Sequence, residues 1–136
     1  MITLKKRSKG ARYLEKNEKT TEDYLEAMLM IKEKQGYIRS IDVAELLGVK
    51  KPSVTYATKR LKEKGYIIMD AESLITFTDE GLEIATKTYE RHKLLTKVFT
   101  MLGVSEETAR KDACLVEHDL SEETYKALEK HVEEYS

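Results

Sequence analysis

The sequence predicts a mainly α-helical protein: an N-terminal winged helix-turn-helix of three helices plus a β-hairpin wing, followed by an all-helical domain. Three observations lead there. The stretch from Arg39 to Ile68 reads as a helix, a Gly turn, a Pro-started second helix and a strand. Two short runs rich in β-branched and aromatic residues, Tyr66-Ile67-Ile68-Met69 and Leu74-Ile75-Thr76-Phe77-Thr78, flank the polar turn Asp70-Ala71-Glu72-Ser73. From Asp79 onward only helical periodicity is found. The boundaries that follow are 1–19 for a basic N-terminal arm, 20–80 for the winged helix-turn-helix and 81–136 for the all-helical domain.

Residues 1–19 carry Lys5, Lys6, Arg7, Lys9, Arg12, Lys16 and Lys19 against only Glu15 and Glu18. Such an arm either touches a nucleic-acid backbone or is a solvated tail; both readings stay open. Helix 1 is expected from Thr20 or Thr21 to Gln35, with Tyr24, Leu25, Met28, Leu29 and Ile31 inward and Gly36 ending it. Thr20-x-x-Asp23 is a capping-box pattern, which explains an acid in the first turn without any further role. Ser40 is expected to cap the next helix, whose apolar face is Ile41, Ala44, Leu46 and Leu47. Gly48 supplies the left-handed turn, and Pro52 starts the following helix where no hydrogen bond is lost.

In that helix Val54, Ala57 and Leu61 recur at helical spacing. Lys50, Lys51, Pro52, Ser53, Thr55, Tyr56, Lys59 and Arg60 are left outward. A buried stripe opposite a face of cations and short polar groups is the profile of a DNA-reading helix. The lysines and Arg60 suit phosphates, and Ser53, Thr55 and Tyr56 suit base edges. Thr78 then caps a long helix from Asp79 to Leu102, with Leu82, Ala85, Tyr89, His92 and Phe99 on one side. Ser105 caps a fifth helix to about Leu120, and Ser121 a sixth to about Tyr135.

Composition narrows the class. With 136 residues the chain can bury a core without staples. Its single cysteine excludes an internal disulfide, and no apolar run approaches the roughly 20 residues of a membrane span. The expectation is a soluble, cytoplasmic protein. A net charge of -1 conceals a basic front and an acidic stretch from Ser105 to Ser136, which suits a molecule presenting one face to phosphates.

Cys114, Glu117 and His118 stand at i, i+3 and i+4 on the fifth helix. Thiolate, carboxylate and imidazole from one patch can hold a divalent first-row metal. A core cysteine beside a solvated acid is the ordinary explanation of such a patch. His92 shifts the balance, because it replaces an apolar residue in the long helix's stripe; Asp23 and Glu26 add two donors on helix 1. An enzyme with Cys114 as nucleophile is not expected, since Cys and His at i, i+4 come with no oxyanion donors.

Four motifs in order carry a resemblance: Thr21-Glu22-Asp23-Tyr24-Leu25-Glu26, Pro52-Ser53-Val54-Thr55, Tyr89-Glu90-Arg91-His92-Lys93-Leu94-Leu95 and Cys114-Leu115-Val116-Glu117-His118-Asp119-Leu120-Ser121. From about Thr20 to the C-terminus the chain resembles the diphtheria-toxin-repressor family of metal-dependent repressors, including manganese transport regulators, in its short two-domain form. The resemblance implies metal ligands at Asp23, Glu26, His92, Cys114, Glu117 and His118. Asp23 matches the manganese branch and Cys114 the iron branch, so the set is a hybrid. It implies one well-formed site of Asp23, Cys114, Glu117 and His118, with a second through Glu26 and His92 where Thr96 replaces the iron branch's acid. The implied cofactor is Fe(II) or Mn(II), with Zn(II) or Co(II) as substitutes in vitro.

The expected function is thus a metal-activated repressor of metal homeostasis genes, a homodimer on a palindromic double-stranded operator. The resemblance puts the metal between the two domains, so that the bound ion favours the arrangement in which paired recognition helices match successive major grooves. The alternative is a winged-helix transcription factor answering a non-metal signal.

Overall fold

A computed structural model describes the backbone of residues 2–136 and the side chains of residues 18–136. The elements run α1 (Ile2–Gln35), β1 (Ile38–Arg39), α2 (Ser40–Leu47), α3 (Lys51–Glu63), β2 (Ile67–Met69), β3 (Leu74–Phe77), α4 (Asp79–Met101), α5 (Glu106–Val116) and α6 (Glu122–Tyr135). Two compact units form, Met1–Ala85 and Thr86–Ser136, and their boundary falls within α4.

Helix 1 begins at Ile2 instead of at Thr20. Residues 2–19 contain no proline and are mostly good helix formers, so a helix nucleated in the buried part extends N-terminally at one hydrogen bond per residue. The electrostatic role expected of the arm's cations up to Lys16 falls on side chains outside those described. Tyr24 to Leu29 are buried without interruption, which includes Glu26 as well as the expected apolar stripe. Burial also raises the Tyr24 hydroxyl above the usual tyrosine range.

The first unit's core joins Leu25 and Met28 of α1 with Ile38, Val43, Val54, Leu61, Ile67 and Ile75. Arg39, not Ser40, takes the N-cap position of α2, in extended conformation and without a side-chain cap bond. Val43 and Ala44 are the residues α2 buries; Ile41 and Leu46 are about half exposed, so the inward face is turned from the one expected. Gly48, at φ 67°, closes α2 and lets Val49 N–H reach Ala44 O at 3.1 Å. In α3, Thr58 rather than Ala57 completes the buried stripe with Val54 and Leu61, its hydroxyl donating to Thr55 O at 3.1 Å.

The wing is a three-stranded antiparallel sheet in the order β1-β3-β2. The two-residue β1 pairs Ile38 with Ile75 and Arg39 with Leu74, a contribution that periodicity could not reveal in so short a segment. At the hairpin tip the Asp70 carboxylate accepts from Glu72 N–H at 2.9 Å and Leu74 N–H at 3.0 Å, and Ser73 sits at φ 64°. Replacing Asp70 with alanine is expected to cost about 1 kcal/mol, the net worth of a typical hydrogen bond. Asparagine, which keeps the acceptor, should recover most of it. A urea titration of the three proteins checks this.

Thr78 caps α4 as expected, accepting from Gly81 N–H at 3.1 Å while its hydroxyl donates to Gly65 O at 2.6 Å. The stripe that α4 buries differs from the expected one. It consists of Gly81, Ala85, Thr88, Arg91 and Leu95; Leu82 is exposed, and Tyr89, His92 and Phe99 are half-buried. In the second unit Leu95, Ala109, Ala113 and Val132 form the apolar core, and Ser105 and Ser121 cap α5 and α6 through Thr108 N–H and Thr124 N–H.

Candidate metal centre and nucleic-acid interface

Helix α5 stops at Val116, four residues short of the expected Leu120. Glu117 keeps helical dihedrals and one last bond, to Ala113 O at 2.9 Å, while His118 lies in the turn beyond it. The reason is tertiary. The Arg91 guanidinium donates through Nη1 to Glu117 O at 3.3 Å and Leu120 O at 2.6 Å. A cation at those carbonyls satisfies the orphan acceptors of a helix C-terminus and complements its dipole.

The same turn faces the next residue of α4. His92 Nδ1 lies 3.1 Å from Glu117 Oε1, close enough for an Nδ1–H to donate to the carboxylate. Cys114, one turn earlier on α5, is exposed. Its sulfur, a ring nitrogen of His92 and a carboxylate oxygen of Glu117 all lie within 4.8 Å of one another. Two ligands on opposite sides of an ion with bonds of about 2.0–2.3 Å are roughly 4.0–4.6 Å apart, so this cluster is of the right size for a single ion.

Glu117 also supplies the test of fit. It is 1% exposed, and its Oε2 has no hydrogen-bond partner among the described residues. A buried carboxylate oxygen left without a partner is costly, and a divalent cation would offset that cost. The soft thiolate, the imidazole and the carboxylate together suit a first-row transition metal. A metal bound there would act as a cross-link between α4 and α5.

Of the six expected ligands, the fold brings His92, Cys114 and Glu117 together. His118 is half-buried and outside that trio. Asp23 and Glu26 belong to the first unit, one turn apart on α1, the first half-buried and the second buried. Arg91 is the residue the sequence reading passed over. Its signal was present, because Ala85, Thr88 and Leu95 at helical spacing put position 91 on the same inward stripe.

The candidate DNA face is on α3. Lys50, Lys51, Pro52, Ser53, Thr55, Tyr56 and Lys59 are exposed, and Arg60 is half-buried. Arg60 Nη1 donates to the Tyr56 hydroxyl at 3.2 Å, and the guanidinium stands 5.7 Å from the Tyr56 ring centroid. The pair borders a cavity of about 130 Å³ lined also by Thr20, Thr21 and Tyr24 of α1. Pro52 near the start of α3 carries no N–H, and Ser53 N–H and Val54 N–H both donate to Lys50 O, at 3.0 and 3.3 Å, so the attraction of this helix start for a phosphate lies in the Lys50 and Lys51 side chains. At the wing tip, by contrast, Asp70 and Glu72 offer no cation.

Comparison with known proteins agrees with both halves. Residues 18–73 match the iron dependent repressor N-terminal DNA binding domain, and residues 78–136 match the iron dependent repressor metal binding and dimerisation domain. An uncharacterised HTH-type transcriptional regulator of Methanocaldococcus jannaschii is 38% identical over 117 residues, covering 84% of this chain and 93% of its own. Transcriptional regulator MntR of Escherichia coli is 38% identical over 107 residues, 79% of this chain and 69% of that protein. A manganese-dependent transcriptional repressor solved in complex with manganese superposes with a TM-score of 0.73 at 25% identity, over 82% of this chain. The chain spans about half the length of that solved protein, 51%. Two successive domain matches that run through nearly the whole described chain, with relatives 38% identical over the aligned residues, make this protein a member of the iron-dependent repressor family.

Proposed function

We propose that the chain is a metal-activated DNA-binding repressor of metal homeostasis genes, working in the cytoplasm as a homodimer on a palindromic operator. It acts by binding and not by catalysis. The observation that carries the reading is the trio His92, Cys114 and Glu117, with a buried carboxylate oxygen that lacks a hydrogen-bond partner among the described residues. Fe(II) or Mn(II) is the activating ion, and Zn(II) or Co(II) can replace it in vitro. The manganese-dependent relative supports Mn(II), and the thiolate supports a softer ion.

His92, Cys114 and Glu117 hold the ion in this reading, and Asp23, Glu26 and His118 complete its ligands. Asp23 and Glu26 belong to 20–80, the DNA-binding part, and the remaining ligands to 81–136. An ion held by donors from both parts gives the DNA-competent arrangement a differential metal affinity, which any such switch requires. Lys50, Lys51, Lys59 and Arg60 then neutralise phosphates, while Pro52, Ser53, Thr55 and Tyr56 approach the bases. No described helix is long and apolar enough to cross a membrane.

The test is selection from a random duplex pool under anaerobic, reducing conditions, with Mn(II), Fe(II) or a chelator. Palindromic duplexes bound at least about tenfold tighter with metal are expected, equivalent to a coupling of roughly 1.4 kcal/mol. Equal enrichment in chelator would instead favour the winged-helix factor that answers a non-metal signal.

A further inference from the structure

We propose that Arg91 is a positioning residue for the metal centre, holding the Glu117–Leu120 turn in place before an ion arrives. The inference rests on the metal-binding reading and goes beyond its ligand set. Arg91 is 8% exposed, an uncommon setting for a guanidinium, and its hydrogen bonds run to the end of α5 and the segment that follows it. Nη1 gathers the carbonyls of Glu117 and Leu120, and Nη2 bonds Glu122 Oε2 at 3.2 Å. The guanidinium carbon also lies 5.2 Å from the Tyr125 ring centroid. Five donors in a rigid fork can hold two carbonyls and a carboxylate together; an ammonium cannot match that geometry.

The consequence for the site is direct. Arg91 and His92 are adjacent on α4, and both engage Glu117, one through its main-chain carbonyl and the other through its carboxylate. Main-chain capture ends α5 at the ligand itself and sets where its side chain departs. Glu122 is the outer anchor. Burial acts to raise its carboxyl, but the hydrogen bonds and charges of Arg91 and Lys87 outweigh this and hold it below the usual carboxylate range. Outer partners of this kind orient ligands and typically alter metal affinity by about 10–100-fold.

The experiment uses the full chain and Co(II), whose visible bands report coordination geometry and whose near-ultraviolet absorption reports thiolate ligation. Wild type, Arg91→Met, Arg91→Lys and Cys114→Ala are titrated, and circular dichroism checks that each is folded. Arg91→Met is expected to weaken Co(II) binding by about 10–100-fold and to change the visible bands at saturation, with Arg91→Lys intermediate. A merely structural arginine would lower thermal stability and leave both affinity and spectrum unchanged, which would overturn the proposal. Should Arg91→Met not fold, Glu122→Gln releases only the outer anchor; a smaller weakening in the same direction is expected, and no change overturns the proposal. Cys114→Ala separates the two levels. If wild type shows no thiolate band for it to remove, the metal centre itself fails, and the role of Arg91 with it.

Discussion

Glu117→Gln is expected to abolish metal-dependent DNA binding while leaving the apo protein folded. Glutamine has the same shape, so the core around a residue 1% exposed has no cavity to collapse into. Its amide oxygen can still accept from His92 Nδ1–H, the contact that holds the apo pair at 3.1 Å. What is lost is the charge and the second oxygen as ligands, and a neutral amide is a poor donor to a divalent ion beside a thiolate. Removing a direct ligand should cost at least the roughly 100-fold at the upper end of changes one shell further out. Apo stability should move by only about 1 kcal/mol, because the buried carboxylate was itself incompletely satisfied. Isothermal titration with Mn(II) and DNA-binding anisotropy with and without metal measure both halves. Glu107→Gln is the control, an exposed acid on the same helix that pairs with Lys111 at 3.5 Å. Equal loss in both variants would mean that general charge, and not the cluster, governs metal binding.

What could be read from the sequence divides by the range of the interaction involved. The caps at Thr78, Ser105 and Ser121 and the Gly48 turn are local, each settled within four residues, and all four are found. The helix-turn-helix followed from Gly48 and Pro52, while the cap expected at Ser40 is replaced by Arg39. Hydrophobicity is a poor guide to the stripe of α4, because two of its five buried positions are Thr88 and Arg91. Arg91 is tolerated inside because the carbonyls of Glu117 and Leu120 and the Glu122 carboxylate satisfy it, and such distant partners are invisible to periodicity. The early end of α5 has the same origin, since the guanidinium responsible comes from 26 residues upstream. At the metal centre, residue types announced the chemistry before the fold did. The grouping of His92 with Cys114 and Glu117 was not legible, because only the tertiary fold brings those residues of α4 and α5 together. Spacing along one helix grouped His118 with Cys114 and Glu117, whereas α5 ends at Val116 and His118 lies in the turn that follows.

Gly81→Ala sets local propensity against packing, with opposite signs. Alanine in place of glycine in a helix ordinarily stabilises by about 1 kcal/mol. At Gly81 a Cβ would stand 1.9 Å from Tyr66 O and 2.7 Å from Tyr66 C, both backbone atoms. No side-chain rotation relieves that contact. The Tyr66 carbonyl is itself pinned, accepting from Thr78 N–H at 3.1 Å, and Tyr66 N–H donates to Leu61 O at 3.0 Å. Making room means moving the start of α4 away from the α3–β2 junction, and this also strains the bond from Gly81 N–H to the Thr78 cap. Overpacking of about 1–3 kcal/mol, plus roughly 1 kcal/mol for each hydrogen bond disturbed, outweighs the propensity gain. A net destabilisation of about 3 kcal/mol is expected, a large share of the 5–15 kcal/mol available to a typical domain. Thermal melting followed by circular dichroism should show Tm lower by roughly 10 °C. An unchanged or raised Tm would mean that the α4 start yields freely, so that close approach to Tyr66 is not what requires glycine at this position.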